Sequence, residues 1–223
     1  MSIIFDSHCH PQMKQYNEDR EEILKRSKDA GVFMICVGTD LETSRQGIEL
    51  AQSHENMWAS VGLHPNDIRI ETGDKEQATS KIEDLLRQEK VVAIGEVGLD
   101  YYRTPELEKQ ERQKIIFKQF VNLAIKHKKP LIIHARDSSK GSTGRVHKEI
   151  VKILNLFLVS GHLSLTGVAH SFTGSIDDAK KYLELGFYLG LNGILTFLPA
   201  GRQVQGPYDE VVREVPLDRI LLE

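Results

Sequence analysis

The chain has 223 residues, 40% apolar and 27% charged, with a net charge of −3 at pH 7. These values fit an ordinary globular chain and exclude a disordered one. No segment offers about 18 uninterrupted apolar residues, which argues against a membrane-spanning helix, and the near-neutral balance gives no global field for nucleic acid, so such a substrate would need local contacts.

Short β-branched runs alternate with longer amphipathic ones along the chain. Ile3 to Phe5 starts a strand. Asn17 to Ala30 reads as a helix, with acids in its first turn and Gly31 just past its end. Val32 to Val37 is a second strand, Thr43 to Ser53 a helix, and Trp58 to Leu63 a third strand. Lys75 to Glu89 places Ala78, Ile82, Leu85 and Leu86 on one helical face. Val91 to Val97 is a fourth strand, and Glu106 to Lys128 a long helix stopped by Pro130. Leu131 to Ala135 is a fifth strand and Val146 to Phe157 a helix. Gly167 to Ser171 is a sixth strand, followed by a helix that Ser175 caps and that runs to Leu185. Phe187 to Leu191, the short helix Tyr208 to Val215, and a strand from Arg219 to Leu222 complete the series. The stretches Ser138 to Arg145 and Pro199 to Pro207 read as surface loops.

Eight strands alternating with seven helices imply a parallel sheet with crossover helices. The count favours one domain, a closed (β/α)8 TIM barrel over residues 1–223. An open doubly wound sheet is the second choice, and no glycine-rich dinucleotide fingerprint follows the first strand. Such a barrel typically takes about 250 residues, so the chain is slightly short for one. The N-terminus lacks the basic start and apolar core of a signal peptide. The two cysteines, Cys9 and Cys36, have neither zinc-knuckle nor redox spacing, which suits a reducing, cytoplasmic setting.

Ionisable residues gather where strands end. His8 and His10 follow the first strand, His64 the third, Glu96 the fourth, His134 and Arg136 the fifth, and His170 the sixth. In a barrel these ends form one rim, where active sites sit. His8 and His10 project to one side of an extended backbone, with Cys9 pointing away. They are either a metal-binding pair or two surface histidines. Asp6 is either a partner that orients an imidazole or a turn carboxylate. Glu96, in an otherwise apolar strand, is costly to bury unless it is paired or metal-bound, and its two oxygens can bridge two cations; the alternative is a surface-edge glutamate. His134 and His170 each close an apolar run. Either alone would be a hydrogen-bonded core histidine, but together they favour ligation. His64 suits a phosphate contact or general acid, and Arg136 suits bidentate phosphate recognition or a helix-start salt bridge. His54, His127, His147 and His162 read as surface or packing residues. No Gly-x-Ser-x-Gly elbow supports a serine hydrolase.

The runs Phe5-Asp6-Ser7-His8-Cys9-His10, Gly62-Leu63-His64-Pro65, Gly95-Glu96-Val97-Gly98-Leu99-Asp100-Tyr101, Ile133-His134-Ala135-Arg136 and His170-Ser171-Phe172-Thr173-Gly174 resemble, in order, the motifs of the TatD family of metal-dependent deoxyribonucleases. The resemblance implies an amidohydrolase-type TIM barrel and hydrolysis of DNA phosphodiesters, commonly 3′→5′ exonucleolytic, with two divalent ions (Mg, Mn or Zn). It implies that His8, His10 and Glu96 hold one ion and Glu96, His134 and His170 the other. His64 and Arg136 would then serve the phosphate, and Tyr101 would either stack a base or pack. DNA is the implied substrate, with no membrane and no obligate protein partner. Ser171 stands where the family usually has Cys, and 199–206 departs from the family pattern. In the family the run like Arg219 to Glu223 continues with Thr-Asp-x-Pro, whose Asp is a metal ligand. The expectation is therefore an eighth strand without its C-terminal end, no eighth helix, and impaired activity. The alternatives are a related esterase or amidohydrolase, such as a D-aminoacyl-tRNA deacylase, and a non-catalytic metal-binding fragment.

Overall fold

The computed structural model describes residues 3–68, 75–138, 144–159, 165–196 and 207–223. The strands are β1 (Ile4–Cys9), β2 (Val32–Val37), β3 (Met57–Val61), β4 (Val91–Asp100), β5 (Leu131–Arg136), β6 (Gly167–Ala169), β7 (Tyr188–Leu191) and β8 (Ile220–Leu222). The helices between them are α1 (Arg20–Asp29), α2 (Leu41–Ser53), α3 (Lys75–Leu85), α4 (Leu107–His127), α5 (Arg145–Val159), α6 (Ile176–Glu184) and α7 (Pro207–Glu214). All pairings are parallel, and the strands follow one another in chain order from β1 to β8. The Ser7 hydroxyl donates to the Leu222 carbonyl at 2.9 Å, bringing β1 against β8. The sheet is thus a nearly closed TIM barrel, and the open-sheet alternative falls. Among the described residues no helix is long and apolar enough to cross a membrane.

Two apolar layers follow from strand alternation. Val37, Ala93, Ile132 and Val168, one each from β2, β4, β5 and β6, pack together with Ile35, Tyr188 and Leu221. The opposite faces join Leu24, Ile48, Phe117, Phe120, Ile150, Leu154 and Tyr182 from the helices in the larger core. Local chemistry sets the helix starts. Asp40 and Thr43 form a reciprocal cap on α2, and Ser175 and Asp178 do the same on α6. Lys128, in the left-handed region, ends α4 two residues before Pro130.

Three boundaries differ from the sequence expectation. β1 continues to Cys9, which pairs with Cys36. β4 continues to Asp100, which pairs with Arg136, so Glu96 lies inside the strand rather than at its end. The expected loss of the eighth strand's end is not borne out. Ile220, Leu221 and Leu222 pair with Leu189, Gly190 and Leu191, and the Glu223 amide donates to the Leu191 carbonyl at 3.2 Å. Strand ends are set by the partner strand, which local pattern does not carry. Most of the loop expected at 138–145, nearly all of that at 199–207, and His162 lie outside the described residues.

Candidate metal centre

Six of the seven residues singled out on the rim meet around one carboxylate. Glu96 is 4% exposed, so it is not a surface glutamate. Its Oε2 lies 3.3 Å from His8 Nε2 and 3.8 Å from His10 Nε2. Its Oε1 lies 2.6 Å from His134 Nδ1, 3.5 Å from His64 Nε2 and 3.8 Å from His170 Nε2. Oε2 therefore faces two histidines, from β1 and the residue after it, and Oε1 faces three, from the ends of β3, β5 and β6. Two sets of donor atoms, His8–His10–Glu96 and Glu96–His134–His170, are each compact enough for one metal ion.

The backbone must come unusually close for this. A Cβ on Gly98, whose φ is +148°, would sit 2.0 Å from the His134 carbonyl oxygen, and one on Gly62 would sit 2.5 Å from the Gly95 carbonyl carbon. Glycine at both places lets β3, β4 and β5 converge on Glu96.

Hydrogen bonds settle which ring nitrogens carry lone pairs. His10 Nδ1 lies 2.8 Å from the Val37 carbonyl, which can only accept, so His10 Nε2 presents a lone pair to the cluster. His170 Nδ1 lies 2.9 Å from Glu223 Oε2, so its Nε2 does likewise. This is the carboxylate–imidazole pairing that orients metal-binding histidines. His64 is the reverse. Its Nδ1 accepts from the Asn66 amide at 3.1 Å, so Nε2 bears the hydrogen and His64 is a donor, not a ligand, in this arrangement. His134 stands between Glu96 and Asp100, whose Oδ2 is 3.2 Å from Nε2.

Charge states follow from burial and neighbours. Burial pushes His8 down to about 4, and burial with the adjacent His134 does the same for His64, so both are neutral near pH 7. Burial opposes charge on His134 and Glu96 too, but their partners prevail. Asp100 and Glu96 push His134 up to about 9, while His134 and His8 hold Glu96 well below the usual carboxylate range.

The donor set fits a divalent cation. Nitrogen and oxygen ligands about 2.0–2.2 Å from such an ion stand about 3–3.5 Å apart. His8 Nε2 and His10 Nε2 are 3.1 Å apart, and His8 Nε2 is 3.3 Å from Glu96 Oε2. The His10 Nε2 lone pair and the Glu96 carboxylate oxygen converge there on His8 Nε2, and the buried His8 Nδ1 has no hydrogen-bond partner. The buried Glu223 Oε1 also has no hydrogen-bond partner.

Other expectations divide. Cys9 turns away as predicted, its thiol donating to the Ile35 carbonyl at 3.3 Å. Asp6 lies inside β1 and its carboxylate accepts the His8 amide at 3.0 Å rather than orienting an imidazole. Arg136 is exposed and outside the Glu96 cluster, its guanidinium 4.2 Å over the Tyr102 ring. Tyr101 packs, being 1% exposed and bonded through its hydroxyl to Glu149. His54 and His127 bond to the Leu50 carbonyl and to Glu83, and His147 is buried beside Tyr182. Asp100 and Glu223 were missed by sequence reasoning. The available signal was the one that drew attention to Glu96, a carboxylate closing an apolar strand.

Known proteins give a consistent picture. The model of the "TatD related DNase" family matches residues 5–223. A metal-dependent hydrolase from Bacillus subtilis, YabD, is 34% identical over 99% of this chain and 79% of its own length. A protein named deoxyribonuclease Tat-D from Schizosaccharomyces pombe is 32% identical over 99% of this chain and 67% of its own. The crystal structure of YjjV, a TatD homologue from Escherichia coli, superposes with a TM-score of 0.80 at 28% identity, covering 99% of this chain and 78% of that one.

Proposed function

The chain belongs to the family of TatD-related DNases, which are metal-dependent hydrolases, and from that premise we propose that it hydrolyses DNA phosphodiester bonds with two divalent ions. The observation that carries the reading is Glu96, whose Oε2 faces His8 and His10 while its Oε1 faces His134 and His170, with His64 beside them. His8, His10 and Glu96 would hold one ion, and Glu96, His134 and His170 the other. The chemistry supplied when the ions are bound is polarisation of the phosphodiester and acidification of the attacking water.

The chain's own residues do the rest. His64 offers its Nε2–H to a phosphate oxygen, in a tautomer held by the Asn66 amide. Arg136, with no acidic partner among the described residues, supplies a fixed positive charge at the rim for a neighbouring phosphate. Glu223 and Asp100 hold His170 and His134 at their outer nitrogens, which fixes the orientation of both rings, and His134 Nδ1 would give up its proton on engaging an ion.

The test pairs an end-labelled DNA oligonucleotide with a D-aminoacyl-tRNA, each incubated with Mg²⁺, Mn²⁺ or Zn²⁺, and measures metal content per chain. DNA cleavage at two ions per chain supports the reading, and release from the 3′ end supports the exonucleolytic mode. Turnover of the aminoacyl ester with intact DNA would replace the nuclease with an esterase.

A further inference from the structure

At the end of β4 and β5, beside the Glu96 cluster, an aromatic ring and an arginine are set out together on the rim. Tyr102 is 48% exposed, and the Arg136 guanidinium lies 4.2 Å from its ring centroid. Arg136 makes no ion pair with any described residue, so the ring is the group that holds its planar fork in place.

The pair is tied to the cluster. Asp100 Oδ2 contacts His134 Nε2 and accepts from Asn66 Nδ2 at 2.9 Å, while its Oδ1 accepts from the Arg103 amide at 2.9 Å. One carboxylate thus links a cluster imidazole to the turn carrying Tyr102. Gln113 fixes the same turn from α4, its Oε1 accepting the Asp100 amide at 3.0 Å and its Nε2 donating to Thr104 Oγ1 at 3.1 Å. Arg136 stands two residues beyond His134 on β5, about 6.6 Å further along the strand. A phosphate at the cluster therefore leaves the adjoining nucleotide within reach of the pair.

We infer that Tyr102 and Arg136 form a stacking platform for the nucleobase next to the scissile phosphodiester. Tyr102 takes the face of an unstacked base, and Arg136 both completes the stack and meets that nucleotide's phosphate. The inference rests on the DNA reading above. It makes Tyr102, rather than the buried Tyr101, the aromatic contact.

The experiment compares a short oligonucleotide with twins that carry an abasic residue at one terminal nucleotide or the other. KM is measured for the wild type, Tyr102→Ala, Tyr102→Leu and Tyr102→Phe. A 2-aminopurine-labelled oligonucleotide, whose terminal linkages carry a bridging methylene in place of the scissile ester oxygen so that nothing is cleaved, is mixed with the metal-loaded protein and reports stacking by quenching. The expected result is a KM increase of roughly tenfold in Ala and Leu for the intact oligonucleotide only. Phe should stay within about twofold, and quenching should vanish with the ring. Arg136→Gln should weaken intact and abasic substrates alike and lower the salt dependence by about one phosphate contact. If DNA is cleaved but Tyr102→Ala affects intact and abasic substrates equally, or neither, the platform is wrong and the nuclease reading stands. Tyr102-dependent quenching without DNA cleavage would leave the platform and overturn the nuclease. If neither quenching nor cleavage occurs, both fail.

Discussion

Glu96 is a charge that the fold buries and then surrounds with nitrogen donors. Its replacement by Gln keeps the shape and removes the charge. Glu96→Gln should therefore lower kcat/KM on DNA by at least about 10²–10³-fold and reduce bound metal, read by steady-state kinetics and metal analysis of the same preparation. Full metal content with full activity would show that the carboxylate bridges nothing. Glu223 acts one step out, through His170 Nδ1 and the Ser171 amide. Glu223→Gln should cost roughly 10–100-fold in metal affinity while leaving the fold intact, as read by metal titration beside a circular dichroism spectrum. At this scale residue type was legible, because a lone carboxylate or imidazole closing an apolar run stands out in a sequence. What a side chain leans on was not. Asp100 and Glu223 carry the same local signature as Glu96 but act through histidines 34 and 53 positions away.

Strands and helices were legible because side-chain alternation and capping are local. Ser175 was identified as a cap from its sequence position and is one in the structure. The errors lie at ends, where β4 runs on to Asp100 because β5 offers it partners as far as Arg136. The α5–α6 contact carries its own prediction. His147 on α5 is buried between Phe172 and Tyr182, with ring centroids 5.1 and 5.8 Å away, and burial pushes it down to about 4. The unfolded residue titrates near 6.5, so below that pH the unfolded chain binds the extra proton. Stability from this residue is present above pH 6.5 and is lost as pH falls to about 4, by roughly 3 kcal/mol in all. His8 and His64 share the window, so the difference between wild type and His147→Leu isolates the effect. Urea unfolding at pH 7, 5.5 and 4.5 should show a flatter pH dependence in the variant. Parallel curves would mean that His147 takes up its proton as readily in the fold as in the unfolded chain.

In the whole molecule, the rim residues come from β1, β4, β5 and β6, which are joined only through neighbouring strands. An ion held across two or three of these strands binds the folded chain and not the unfolded one. Adding Zn²⁺ or Mn²⁺ at about 100 times its dissociation constant should raise stability by about 2.7 kcal/mol, and chelator should reverse it. For a chain of this length that is a Tm change of roughly 5–10 °C, readable by thermal denaturation. An unchanged Tm would mean that the cluster holds no ion. The sequence by itself determined the alternation that makes a barrel, the chemistry of the rim and the family resemblance, since periodicity and residue type are written locally. Only the tertiary structure decided that one glutamate gathers five histidines, that His64 donates while His10 and His170 offer lone pairs, and that Tyr102 rather than Tyr101 reaches solvent. Each of these depends on a partner brought from another strand, and only the closing of the sheet places those partners.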